Sequence, residues 1–146
     1  MTRVDFYILA DQTLDARNLF ICRLVNKAVS QGQNVFINVD QASDAQVFDD
    51  LLWDFRAESF VPHEIQHAHS HTQGCPVHIG WSTPINEHSD VMINAGNRLP
   101  DFFGRFSRLI EVVVQDDAIL QYTREHYRFL SNRGYAIDHQ DMRLGA

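Results

Sequence analysis

The chain has 146 residues, of which 45% are hydrophobic and 11% aromatic, and its formal net charge is −7. That length and composition describe one globular domain, residues 1–146, with enough apolar side chain for a real core, and exclude disorder. No apolar run approaches the roughly 18 residues of a membrane helix. The opening Met1-Thr2-Arg3-Val4-Asp5-Phe6 enters a strand pattern with no signal-peptide segment, so the expected location is the cytoplasm.

Val4–Leu9 reads as a first strand. Residues 14–30 follow with Ile21, Leu24, Val25 and Ala28 at helical spacing, and Gly32 ends that helix. Residues 34–39 form a short apolar run suited to a buried parallel strand. Residues 43–53 place Val47, Phe48, Leu51 and Leu52 on one helical face, with Ser43 and Gln46 spaced as a capping box. Residues 64–75 are polar and histidine-rich and read as a loop. Strands are expected at 77–81 and 90–94, a short helix at 99–106, and a β-branched strand at 109–114. Residues 116–133 complete the series as a long helix stopped by Gly134. The alternation predicts a single-domain α/β fold, a mostly parallel Rossmann-like sheet with helices on both faces.

Nothing in this pattern carries an evident catalytic site. The turn after the first strand, Ala10-Asp11-Gln12-Thr13-Leu14-Asp15, has no glycine and holds two carboxylates, so it is not a nucleotide-binding glycine loop. Asp116-Asp117 reads as helix-start charge and Asp49-Asp50 as solvated surface. No cofactor is expected. A small nucleotide-binding enzyme stays open on the fold alone. A metal-binding protein is a further alternative, because His67, His69 and His71 alternate along one segment. Their spacing matches no standard structural zinc site, and a polar loop is the simpler reading. Cys22 reads as a core side chain, and a bridge to Cys75 is not expected.

The charge is unevenly spread. Residues 1–97 hold five basic and twelve acidic residues, whereas residues 98–146 hold seven of each. An acidic chain repels phosphate backbones, so nucleic acid is expected to be met only indirectly. The last helix is the place for a cationic patch: Arg124, Tyr127 and Arg128 fall at i, i+3, i+4 and share a face. Two guanidiniums beside a phenol suit an acidic peptide with an aromatic end; a solvated face with Glu125 balancing the arginines is the alternative. Trp53, Phe60 and Pro62 close the second helix with an aromatic pair and a stiff turn, which fits a partner anchor or a corner of the core.

The run "LLWDFRAESFVPH", with "FYIL", "PVHIGW", "EVV" and "REHYRFLSNRGY" around it, resembles the chi subunit of bacterial DNA polymerase III from end to end. That resemblance implies a Rossmann-like, non-catalytic accessory subunit of the clamp-loader assembly. It implies a 1:1 heterodimer with the psi subunit, contacted through Trp53, Phe60 and Pro62, and a helicase at the same surface in some bacteria. It also implies capture of the acidic, phenylalanine-terminated tail of single-stranded DNA-binding protein by Arg124, Tyr127, Arg128 and Gly134, with Val114 as the apolar wall. No membrane partner is implied.

Overall fold

In a computed structural model of the chain, residues 1–54, 61–65, 75–81 and 88–143 are described. The elements run β1 (Arg3–Ile8), α1 (Leu14–Ser30), β2 (Val35–Asn38), α2 (Ala42–Asp54), β3 (His63–Ile65), β4 (Val77–Gly80), β5 (Val91–Asn94), a short 3-10 helix (Asp101–Arg105), β6 (Arg108–Val113), α3 (Asp117–Asn132) and β7 (Ile137–Asp141). The strands form one seven-stranded sheet in the order β3-β4-β2-β5-β6-β1-β7. Every neighbouring pair is parallel.

The expected α/β fold is present, with helices on both faces. Tyr7 packs on Phe20 of α1, while Phe6 packs edge-on against Tyr127 of α3. Consecutive strand residues point to opposite faces, so α1 and α3 cover opposite sides of the sheet. The α1 side rests on an aliphatic layer that includes Val35, Ile37, Ile79, Ile93 and Ile110, all buried. Strands covered on both faces need such runs. Truncating one fully buried side chain here, Leu52 for example, costs about 2–5 kcal/mol.

The α3 side carries a buried polar line. Asn38, Asn94 and Glu111 are register partners on β2, β5 and β6. Asn38 Nδ2 donates to Asn94 Oδ1 at 3.0 Å, and Asn94 Nδ2 donates to Glu111 Oε2 at 2.9 Å. His126 of α3 completes the line. Its Nδ1 lies 3.1 Å from both Glu111 oxygens and its Nε2 lies 3.1 Å from the Asn97 carbonyl. Both ring nitrogens thus face acceptors, which suits the imidazolium. Burial opposes that charge, but the Glu111 hydrogen bond and charge outweigh it and raise His126 above the ordinary histidine range.

Local signals placed most boundaries. Thr13 accepts from Ala16 N at 3.1 Å and caps α1; Asp116 accepts from Ile119 N at 3.2 Å and caps α3. Gly32 and Gly134 follow their helices at φ +78° and +80°. Four expectations change. The Gln41 carbonyl accepts from Asp44 N and Ala45 N, so α2 starts at Ala42 and Ser43 lies inside its first turn. Gln46 then donates to Asp49 and Asp50 and closes no capping box. Asp49 is not simply solvated, because His63 Nε2 lies 3.4 Å from its Oδ1. The expected 64–75 loop begins with strand β3, and β7 is a strand where none was expected. Both cysteines are free thiols, and burial pushes Cys22 up to about 12.

Candidate functional site

The last helix, the two strands beneath it and β7 enclose a groove of about 310 Å³. Its floor is apolar, from Phe6 and Ile8 of β1, Val113 of β6 and Leu120 of α3. Phe6, Tyr127 and His139 make an aromatic cluster there. The Phe6–Tyr127 centroids are 5.9 Å apart at 74°, and His139 lies 5.4 Å from Tyr127 and 6.0 Å from Phe6. Tyr127 lines the groove and keeps 38% of its surface exposed. Such a floor accepts an aromatic side chain by offset or edge contacts.

The rim is cationic. Arg124 and Arg143 line it. Arg143 is held by Asp141, with Nη2–Oδ2 at 2.6 Å and Nε–Oδ1 at 2.9 Å. Those hydrogen bonds lower the Asp141 carboxyl to about 2. Among the described residues, Arg124 and Arg128 make no ion pair. Glu125 therefore does not balance them, which leaves two guanidiniums on the exposed face of α3.

The groove unites Arg124 and Tyr127 of the expected set and leaves the others outside its lining. Arg128 is exposed one turn further along α3. Gly134 lies past the helix end, in an open turn. Val114 is fully buried, and its neighbour Val113 lines the groove. Val114 lies just past the end of β6 and outside the groove lining. His139 and Arg143 went unnoticed in sequence. They stand on or just beyond β7, whose run Ile137-Asp138-His139-Gln140-Asp141 has too few apolar residues to show a strand period.

A second surface lies at the other end of the sheet. Trp53, in the last turn of α2, is 61% exposed and meets the His63 ring edge-on at 5.5 Å. Val61 is buried and anchors the segment, while Pro62 is exposed beside it. Phe60 lies outside the described residues, as do His67, His69 and His71. Six interstrand steps of about 4.8 Å separate β3 from β7, so the two surfaces stand roughly 29 Å apart.

The crevice beyond the strand C-termini is where this fold class most often holds a nucleotide. Here it encloses about 710 Å³ and is lined by Asp15, Asp40, Asp44 and Asp116 around Arg17. The Arg17 guanidinium bonds Asn18 Oδ1 at 3.0 and 3.1 Å and Tyr122 at 3.3 Å. Four carboxylates and an engaged arginine are a poor match for phosphate.

The family model of the DNA polymerase III chi subunit, HolC, matches residues 1–138. The chain belongs to the DNA polymerase III chi subunit family. It is 38% identical to the DNA polymerase III subunit chi of Pseudomonas aeruginosa over 144 residues, covering 99% of this chain and 98% of the relative. The subunits chi of Haemophilus influenzae and Escherichia coli are 28% and 27% identical over 138 and 143 residues. Each match covers 94% of this chain, and 95% and 97% of the respective relative. The chain is thus a chi-type accessory subunit of the replicative polymerase. No helix among the described residues is long and apolar enough to cross a membrane.

Proposed function

We propose that this chain is a non-catalytic adaptor in the cytoplasm that binds two protein partners at opposite ends of its sheet. The α3–β7 groove takes the acidic C-terminal tail of single-stranded DNA-binding protein. The Trp53 surface takes the psi subunit, as a 1:1 heterodimer that links the chain to the clamp loader. A helicase is a further candidate for that same surface. Nucleic acid is reached through the tail protein alone.

The observation that carries this reading is the pairing of an apolar aromatic floor with unpaired arginines on one helix. A terminal phenylalanine ring fits against Tyr127, Phe6 and Val113, while its α-carboxylate meets Arg124 and upstream acids meet Arg128. At the other end, an exposed tryptophan on a buried anchor has the character of an interface hot spot. Each contact is modest alone. Tethering to a coated single strand raises the effective concentration and so the overall avidity.

Calorimetric titration with a synthetic acidic peptide ending in Pro-Phe tests the groove. The free acid should bind at micromolar strength, and both the C-terminal amide and the Arg124→Ala variant should lose most of that binding. Equal binding of acid and amide would overturn carboxylate capture, and no binding at low salt would remove the tail from the account.

A further inference from the structure

Near the β3 edge, beside the Trp53–His63 contact, three side chains of metal-ligating type converge. Glu64 and His78 are register partners on β3 and β4, and Glu64 Oε1 lies 2.8 Å from His78 Nε2. Cys75 stands three residues before His78, and its Sγ is 3.4 Å from the Val77 carbonyl. One ligand atom from each of Glu64, Cys75 and His78 lies within 4.8 Å of the other two. We propose that these three side chains form a binding site for a zinc-class divalent transition metal.

The donor chemistry fits. Thiolate, imidazole and carboxylate together are a zinc-type set, and three protein ligands with a fourth position for water make an open tetrahedral site. Bond lengths of about 2.0–2.3 Å place neighbouring donors on such a sphere roughly 3.4–3.6 Å apart. The three donors already lie within 4.8 Å of one another, close to that spacing. Thiolate and carboxylate together neutralise a divalent charge, so no bare ion is buried. His78 is buried, and Cys75 and Glu64 retain part of their surface as residues.

The surroundings hold the ligands in place. His88 is buried, its ring centroid lies 4.5 Å from that of His78, and its Nε2 is 3.0 Å from the Cys75 carbonyl. An imidazole on the main chain of one ligand and against the ring of another restricts both, as outer-shell partners do in metal sites. Pro76, between Cys75 and strand β4, restricts the backbone further. Metal would cross-link β3, a strand of only three residues, to β4. It would thereby stiffen the platform on which Trp53 rests against His63.

The test uses untagged, reduced, full-length protein titrated with Co(II) and then Zn(II). One equivalent of cobalt should give a thiolate-to-cobalt charge-transfer band and the strong visible absorption of a four-coordinate ion, both erased by zinc. Cys75→Ser should abolish the charge-transfer band, and Glu64→Gln and His78→Gln, which remove direct ligands, should each weaken binding by at least the roughly 10- to 100-fold that loss of an outer-shell partner costs. Cys75 and Glu64 are partly exposed, so those variants keep the proposal testable if His78→Gln fails to fold; circular dichroism checks each one. A triple His67→Ala, His69→Ala, His71→Ala variant should retain the band. Absence of the band in the wild type, its survival in Cys75→Ser, or loss of binding in the triple variant alone would overturn the proposal.

Discussion

At the β7 edge the chain sets a ring cluster and arginines over a strand that is mostly exposed. At the β3 edge it sets one exposed tryptophan over a short strand with a histidine, a glutamate and, close by, a thiol. The first surface pairs exposed arginine with an aromatic floor, the chemistry that the proposed short acidic ligand with an aromatic end would need. The second presents a large apolar ring on a helix end that also carries exposed Asp50 and Asp54, the chemistry the proposed folded partner would have to match. The two edges stand about 29 Å apart across the sheet. Between the two edges runs one parallel sheet, crossed by the hydrogen-bonded line Asn38–Asn94–Glu111–His126.

The contrast breaks most severely where α3 is tied to the sheet. His126→Ala leaves Glu111 buried beside Asn94 without its cation and should cost about 3–5 kcal/mol in urea unfolding. The same residue gives the β7 side a pH dependence. His126 titrates above its unfolded value of about 6.5. Its contribution is therefore whole below pH 6.5 and fades as pH rises through the folded value. The stability difference between wild type and His126→Gln should shrink over that window, and a difference constant with pH would contradict the imidazolium assignment.

Trp53→Ala should weaken psi binding by about 2 kcal/mol or more, roughly 30-fold, with the tail peptide unaffected. Arg124→Ala should do the reverse, costing the peptide about 1.5–3 kcal/mol and leaving psi binding unchanged. The smallest contrast is in salt. Peptide affinity should fall steadily between low and physiological ionic strength, whereas psi binding should move little. A steep salt dependence at the Trp53 surface would blur the distinction between the two edges.

Much of the fold was legible because local chemistry agreed with global packing. Thr13 and Gly32 bracket α1, and the short, β-branched runs of β2 and β6 favour a buried strand. The short edge strands were not. Three residues of β3 give no period, and β7 alternates against water on an outer edge. The groove was half legible for the same reason. Arg124 and Tyr127 share a helix face that spacing reveals, whereas Phe6, Val113 and His139 join them through strand pairing across more than a hundred residues. Which of the adjacent valines 113 and 114 lines the groove depends on the pleat, which sequence spacing does not show. Glu64 and His78 are 14 residues apart, and only the β3–β4 register brings them together.

Simultaneous occupancy is the most direct test of the two-edge account. The tail peptide should be titrated by calorimetry into the chain alone and into its purified complex with psi. The account predicts a 1:1:1 assembly and peptide affinities that agree within about twofold, as independent sites require. Displacement of psi by the peptide, or loss of peptide binding in the complex, would show that the partners share one surface and would contradict it.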